Sequence, residues 1–361
     1  MRLLSRHIFG EFARIFLAIL TGILVLSVCM DFLQKADNFI NNKATLGQVI
    51  SYFFYSIPAM ASSALPIAAL VAALLSLGNL SRHNEVIAMR ASGVSLFSII
   101  APVVAGGVLI SAFGFLNNEF VMPRYTARAN FIKSVEIEKK QQRVVFQQRK
   151  LWLRGPDNSI ANIDLITPEH TEMIGLNIYK MSPDYSVRER ITAASLLWQN
   201  GAWRFQNSHK YIFSDDGASE QSADGEIYNI VDSPQDLGMI VKSSEEMNFA
   251  ELWEYVKRLK TSGYKAARYE VDLHNKLAFP LSSMLMVLIA TPLSLQKVRS
   301  GGFGRGVAFA ILIAFLYWGL SSVGTALGRS GALPPFESAW LANFLFASAS
   351  LFVLFRMQKT N

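Results

Sequence analysis

The sequence predicts a mixed membrane protein: six transmembrane α-helices in a 3+3 arrangement with an extracytoplasmic, all-β, jellyroll-like domain inserted between the third and the fourth. Three observations predict it. Three long apolar segments precede about residue 118 and three more follow about residue 277. The block between them is polar and broken into short strand-like runs. The whole chain, 361 residues with 51% hydrophobic side chains, has a mean hydropathy of +0.27. That is too apolar for an ordinary soluble domain and too polar for a bare helix bundle.

The elements follow in order. A spanning helix needs about 20 mostly apolar residues, and windows 12–33, 60–80, 96–116, 277–295, 306–327 and 338–355 qualify. Their apolar runs are continuous rather than alternating, and only helices or closed barrels satisfy the backbone in lipid, so helices are expected. The first window follows Arg2 and Arg6, as a signal peptide would, but its run is too long and lacks a small-residue cleavage pattern before Asp31. It reads as a retained helix carrying the lone Cys29, which excludes a disulfide framework. Residues 34–57 read as an outer connection with an amphipathic stretch near VISYFFYSI, and Pro58 and Pro66 as brackets on entry to the second helix. Residues 81–95 form a first inner loop, in which 83–91 can be a short helix ended by Gly93. The third helix is expected to stop near Asn117-Asn118-Glu119, with Pro123 as the exit.

The middle of the chain reads as strands. KLWLRG and SIANIDLI flank Gly155-Pro156-Asp157-Asn158. ITAASLLW and AWRF flank Asn200-Gly201, the dipeptide suited to a type I′ turn. LNIYKMS, HKYIFS and EIYNIV add further strands. Such a domain can fill its apolar face with its own core or hold a lipid-like ligand, and the pattern does not separate the two. Residues 248–268 read as a helix with Asn248 as N-cap, Leu252, Val256 and Leu259 on one face, and Gly263 as the stop. The organisation expected is therefore 1–118 for helices one to three with the inner helix at about 82–92, 119–270 for the β-domain, and 271–361 for helices four to six.

Charge fixes the orientation. The net charge is +7, which in a soluble chain suggests nucleic acid. With a cytoplasmic N-terminus, the short inner segments hold Arg2, Arg6, Arg82, Arg90, Lys297, Arg299, Arg305, Arg356 and Lys359, and the short outer loops hold only Lys35, Lys43 and Arg329. This asymmetry follows the positive-inside rule, places both termini in the cytoplasm, and requires no nucleic-acid partner. No catalytic motif appears. Gly302, Gly304 and Gly306 lack the Lys-Ser/Thr of a phosphate loop, His83-Asn84-Glu85 has the wrong order for a zinc helix, and no Cys/His cluster suits a metal. A sensor would carry a sizeable inner output module, and a secondary transporter would carry ionisable groups at mid-membrane; neither is seen. An ABC-type permease for another lipid or for lipoproteins, or a membrane sensor with a ligand-binding outer β-domain, are the alternatives.

Two stretches carry a family resemblance. LPIAALVAALLSLGNLSRHNEVIAMRASGVS resembles the second helix and inner loop of the lipopolysaccharide-export permeases, the YjgP/YjgQ (LptF/LptG) family. LKTSGYKAARYEVDLHNKLAFPLSSMLMVLIATPLSL resembles that family's entry into its fourth helix, and ARYEVDLHNK is closer to the LptG branch. The layout matches along the whole chain. The resemblance implies one subunit of an ATP-driven exporter that extracts lipopolysaccharide from the inner membrane and passes it to a periplasmic β-jellyroll bridge. It implies a paralogous LptF-like permease, a dimeric LptB-like cytoplasmic ATPase that binds the ATP and Mg, and a single-span LptC-like bridge component as partners, with no cofactor in this chain. It carries ATPase coupling onto Glu85, with Val86, Met89, Arg90 and Ala91 around it. It carries headgroup contact onto the end of the first helix, where MDFLQKAD offers Asp31, Phe32 and Lys35. Arg124, Lys276 and Arg329 are the other cations expected near the outer boundary, either binding phosphate or serving as ordinary helix-end charges. Phe12, Phe16, Phe39, Phe303, Phe315, Tyr317 and Phe336 are candidate cavity aromatics on the same terms. Gly324 and Gly328 allow close packing, within the chain or between subunits.

Overall fold

The computed structural model describes residues 2–139, 144–147, 150–154, 159–167, 170–182, 186–214, 217–231, 234, 237, 243–261, 265–295 and 303–359. Among them, six helices are long and apolar enough to cross a membrane, and each contains one of the predicted windows. The chain divides into two compact units: Met1–Glu138, Ser244–Trp253 and Ala267–Asn361 in one, Lys139–Ser243 and Glu254–Ala266 in the other.

The helical unit opens with α1 (Arg2–Asn41) and α2 (Leu46–Arg82). At 1.5 Å per residue these are about 55–60 Å long, well beyond the roughly 30 Å hydrocarbon core. The outer connection expected at 34–57 is therefore almost wholly helical, and only residues 42–45 turn. Sharp caps on both sides explain this. Lys43 takes a left-handed φ of 52°, its N–H bonds Ile40 O (3.0 Å), and Ala44 N–H bonds Phe39 O (3.0 Å), closing α1 in a Schellman pattern. Thr45 and Gln48 then start α2 with a capping box. Pro58 and Pro66 lie inside α2 rather than at its entry, and the Asn117 side chain on the next long helix donates to Pro58 O (2.9 Å).

A further expected stop is corrected. After the short α3 (Glu85–Ala91), α4 (Leu96–Leu116) runs without a break through a π-helical segment Asn117–Val121, α5 (Met122–Phe131) and a second π-helical segment Ile132–Ile137. Pro123 does not end the helix: it follows directly on the π-helical segment, whose wider turns accommodate a residue without an N–H. α6 (Phe249–Thr261) begins as expected: Glu251 N–H bonds Asn248 Oδ1 (2.8 Å) and Asn248 N–H bonds Glu251 Oε2 (3.2 Å). Gly263 lies outside the described residues. RYEVDLHNKLAF, expected as a lead-in, is already part of α7 (Ala267–Leu295). α8 (Phe303–Arg329) and α9 (Pro335–Lys359) complete the bundle. Gly324 and Gly328 serve contacts within the chain. A Cβ on Gly324 would lie 2.6 Å from the Ser338 carbonyl oxygen, and one on Gly328 would overlap the Ser338 side chain.

Among the described residues the inserted unit is antiparallel β, with seven strands each beside its sequence neighbour: β1 (Val144–Gln147), β2 (Lys150–Arg154), β3 (Ser159–Ile166), β4 (Glu172–Met181), β5 (Val187–Gln199), β6 (Ala202–Ser214) and β7 (Gly217–Ser222). The turn expected at 155–158 lies outside the described residues. Asn200 and Gly201 have φ of 52° and 78°, the type I′ signature, and join Gln199 to Ala202. AWRF and HKYIFS form one strand, β6, rather than two. EIYNIV is not a strand. Apart from one bridge between Arg204 and Ile227, it lies over the apolar sheet face, with Ile230 and Val231 buried beside Ile163, Leu176, Leu196, Trp203 and Phe205. The apolar face is thus filled by the chain's own side chains.

Candidate functional site

Two places concentrate the candidate residues, at opposite ends of the helices. The first is α3, held between α2 and α4 by tight turns. Asn84 adopts φ 60°, ψ 13°, a left-handed conformation that Asn tolerates better than most residues, and its carbonyl accepts the Ala88 N–H (2.9 Å). At the far end Gly93 sits at φ +88°. Its N–H bonds Arg90 O (3.0 Å) and Val94 N–H bonds Met89 O (3.0 Å), a Schellman closure that favours glycine. α4 restarts at once with Ser95 as N-cap.

These turns fix which face α3 presents. Val86 is buried, and Met89 and Val94 pack against the same apolar core as Leu77, Leu80 and Ile99. Glu85, Ile87, Ala88, Arg90 and Ala91 face away from it and are exposed. Glu85 and Met89 are about one helical turn apart, yet the structure separates them, with Glu85 exposed and Met89 packed against the core. Val86 is a docking residue within the chain rather than a free anchor, and the exposed apolar side chain is Ile87, 52% accessible, which the sequence reading left out. An i, i+3 apolar pair, Val86 and Met89, signals the inward stripe.

The second place is where α1 and α8 end and α2 and α7 begin. Lys35 donates to both carboxylate oxygens of Asp31 (2.6 and 2.8 Å) and to Tyr52 Oη (2.5 Å). Phe32, Phe39, Tyr52 and Phe53 form one aromatic cluster around this pair. Arg329 donates through Nε (3.0 Å) and Nη2 (2.6 Å) to Asp272 Oδ1, while Ser244 Oγ donates to Asp272 Oδ2 (2.7 Å). Lys276 is half-buried one turn further along α7, under the charges of Glu119, Asp272, Glu245 and Glu251. Arg124 on α5 is exposed. Two of the four expected headgroup cations are therefore already ion-paired inside the chain. Asp272 and Ser244 escaped the sequence reading because their partners are distant in the chain: Arg329 is 57 positions from Asp272, and Asp272 is 28 positions from Ser244.

The aromatic candidates divide in the same way. Phe12, Phe39 and Tyr317 are buried, Tyr317 donating to Asn343 Oδ1 (2.6 Å). Phe32, Phe315 and Phe336 are exposed. The glycine-rich segment 296–302 lies outside the described residues. Among the described residues no group of three or more His, Cys, Asp or Glu is placed to hold a metal.

Comparison with known proteins assigns this architecture. The family model described as lipopolysaccharide export system permease LptF/LptG matches residues 6–356. The chain is similar to the lipopolysaccharide export system permease protein LptG of Escherichia coli (strain K12), 25% identical over 316 residues that cover 84% of each chain. It is also similar to the protein of that name from Haemophilus influenzae, 21% identical over 349 residues that cover 95% of each chain. With a match along nearly its whole length and both the six-helix frame and the inserted β-domain in place, the chain belongs to the LptF/LptG family of lipopolysaccharide export permeases.

Proposed function

We propose that this chain is an LptG-type permease subunit of an exporter that removes lipopolysaccharide from the inner membrane, driven by ATP that a partner subunit hydrolyses. The observation that carries the reading is the family match across residues 6–356, supported by two relatives named LptG that are covered over most of their length. The chain is a multi-pass membrane protein. We place its termini and α3 in the cytoplasm and the β-domain in the periplasm on the positive-inside asymmetry.

In this mechanism the chain supplies positioning and no bond-breaking chemistry. α3 docks into a groove of a dimeric ATPase with Glu85, Ile87, Arg90 and Ala91 outward, in the manner of a short helix that presents an apolar anchor beside a charge. Val86 and Met89 transmit its motion because they seat it on the bundle core. At the other end, lipid phosphates meet Arg124 directly and reach Lys35 and Arg329 only by competing with Asp31 and Asp272. Such competition lets a headgroup loosen contacts between α1 and α2 and between α7 and α8. A paralogous LptF-like subunit completes the cavity, and a single-span LptC-like component receives the lipid.

Photocrosslinking from native membranes tests this, with probes at Ile87 and Lys35. The expected result is an ATPase adduct at Ile87 and a lipopolysaccharide adduct at Lys35. An ATPase adduct without lipid keeps the permease and removes the headgroup site. No ATPase adduct, with incorporation verified, removes the coupling role of α3.

A further inference from the structure

We propose that the outward face of the β-sheet, opposite its apolar core, is a binding platform for an oligosaccharide, the sugar portion of the exported glycolipid. The proposal rests on the export reading for the identity of the ligand, but the site itself is argued from the sheet.

Register places two rows of side chains on this face. Trp152, Asn162, Asn177 and Thr192 are successive cross-strand partners on β2, β3, β4 and β5. Two residues along, Tyr179, Arg190 and Tyr211 are partners on β4, β5 and β6. Opposite residues in an antiparallel pair point to one face about 4.5–5.5 Å apart, so these seven form a continuous surface. The alternate positions, among them Leu153, Ala161, Ile178 and Ile191, are the buried core.

The chemistry of the two rows is that of sugar recognition. A pyranose offers flat C–H faces and a rim of hydroxyls, each both donor and acceptor. Aromatic rings cover the faces, and planar amides and guanidinium groups meet the rim in paired bonds. Here Trp152, Tyr179 and Tyr211 are half-buried rather than free to swing. The Arg190 guanidinium lies 5.8 Å from the Tyr179 ring centre and donates to Asn177 Oδ1 (3.1 Å). Thr192 donates to the same oxygen (3.3 Å), which leaves the Asn177 amide nitrogen directed elsewhere. Tyr211 Oη is held by Glu220 (3.3 Å). A plain solvated sheet face would not bury a polar group on its wet side without a partner. Asn162 is only 4% exposed, and its amide nitrogen has no hydrogen-bond partner among the described residues, although such groups are nearly always satisfied. A sugar hydroxyl seated beside Trp152, with a modest turn of the Asn162 side chain, would satisfy it.

The test is a calorimetric titration of the full chain in nanodiscs with two separate probes: oligosaccharide freed of its lipid from lipopolysaccharide, and the lipid portion alone. The wild type should bind the oligosaccharide. Tyr179→Ala with Arg190→Ala should weaken that binding by about tenfold or more, Asn177→Ala should weaken it independently, and Tyr179→Phe should retain most of it. Lipid binding should be unchanged throughout. No oligosaccharide binding by the wild type, or unchanged binding by both weakened variants, overturns the platform. Lipid binding without oligosaccharide binding leaves export standing and removes only the platform; oligosaccharide binding without lipid binding supports the platform and counts against the lipid-export reading.

Discussion

At the scale of single residues, close approach and local hydrogen bonding set the sharpest constraints. Gly324 faces a backbone carbonyl, that of Ser338, which cannot swing aside as a side chain can. Gly324→Ala should therefore destabilise the α8–α9 contact by about 1–3 kcal/mol, seen as a lower thermal midpoint of the detergent-solubilised chain. Gly22→Ala, where a Cβ meets nothing within 4 Å, should leave that midpoint nearly unchanged. In the β-domain, Asp224 accepts from the Ser208 N–H (2.6 Å) and Oγ (2.9 Å). These bonds, the backbone one foremost, hold its carboxyl below the usual carboxylate range. A depressed folded value means the ionised form stabilises the fold. The contribution is fully present above about pH 4, the unfolded value, and fades as pH falls through the lowered one. Asp224→Ala should flatten this acid limb, measured by tryptophan fluorescence during denaturation between pH 5 and 2.

At the scale of elements, α3 is the part whose orientation matters most. Its seven residues are too few to be stable alone in water, so its position depends on the left-handed turns at Asn84 and Gly93 and on the Val86–Met89 stripe. Val86→Ala should cost roughly 1–3 kcal/mol of this docking and raise amide exchange across residues 85–91, while the transmembrane helices keep their protection. Unchanged exchange would show that the two flanking turns alone hold the helix. The existence of α3 and its end at Gly93 were legible in the sequence, because apolar spacing and a left-handed glycine are local signals. Its facing was not, because Val86 turns inward only when Leu77, Leu80 and Ile99 are there to receive it. The same reason explains EIYNIV. Its alternation suits a strand, but it pairs with β6 only around the Arg204–Ile227 bridge, and Ile230 and Val231 then turn over the core. It also explains the helix ends: Pro58, Pro66 and Pro123 are stop signals locally, and neighbouring helices and π turns override them.

At the scale of the whole molecule, the two units answer different demands. The bundle satisfies its backbone internally and exposes apolar side chains such as Leu17, Phe315 and Phe352, as a lipid-facing or subunit-facing surface must. The inserted unit gathers its apolar core on one face of the sheet. Orientation can be measured directly. In a Cys29→Ser background, a cysteine at Ser92 should react with an impermeant thiol reagent only after the inner membrane is opened, and one at Ser219 should react in intact spheroplasts. The reverse pattern would overturn the charge-based topology.

What the sequence by itself determined is the layout: six spans, an inserted β-domain, a short capped helix between the second and third spans, and the family. These follow from run length, alternation and caps, which act over a few neighbouring residues. Beyond the local pair of Asp31 and Lys35, one helical turn apart, only the tertiary structure decided which candidate charges are committed, pairing Asp272 with Arg329 and seating Lys35 on Tyr52. It alone decided that the apolar β-face is closed by its own chain and that Gly324 serves a contact within the subunit. Those outcomes depend on which distant segments meet, and an ion pair or a packed face takes its energy from that meeting rather than from either segment alone.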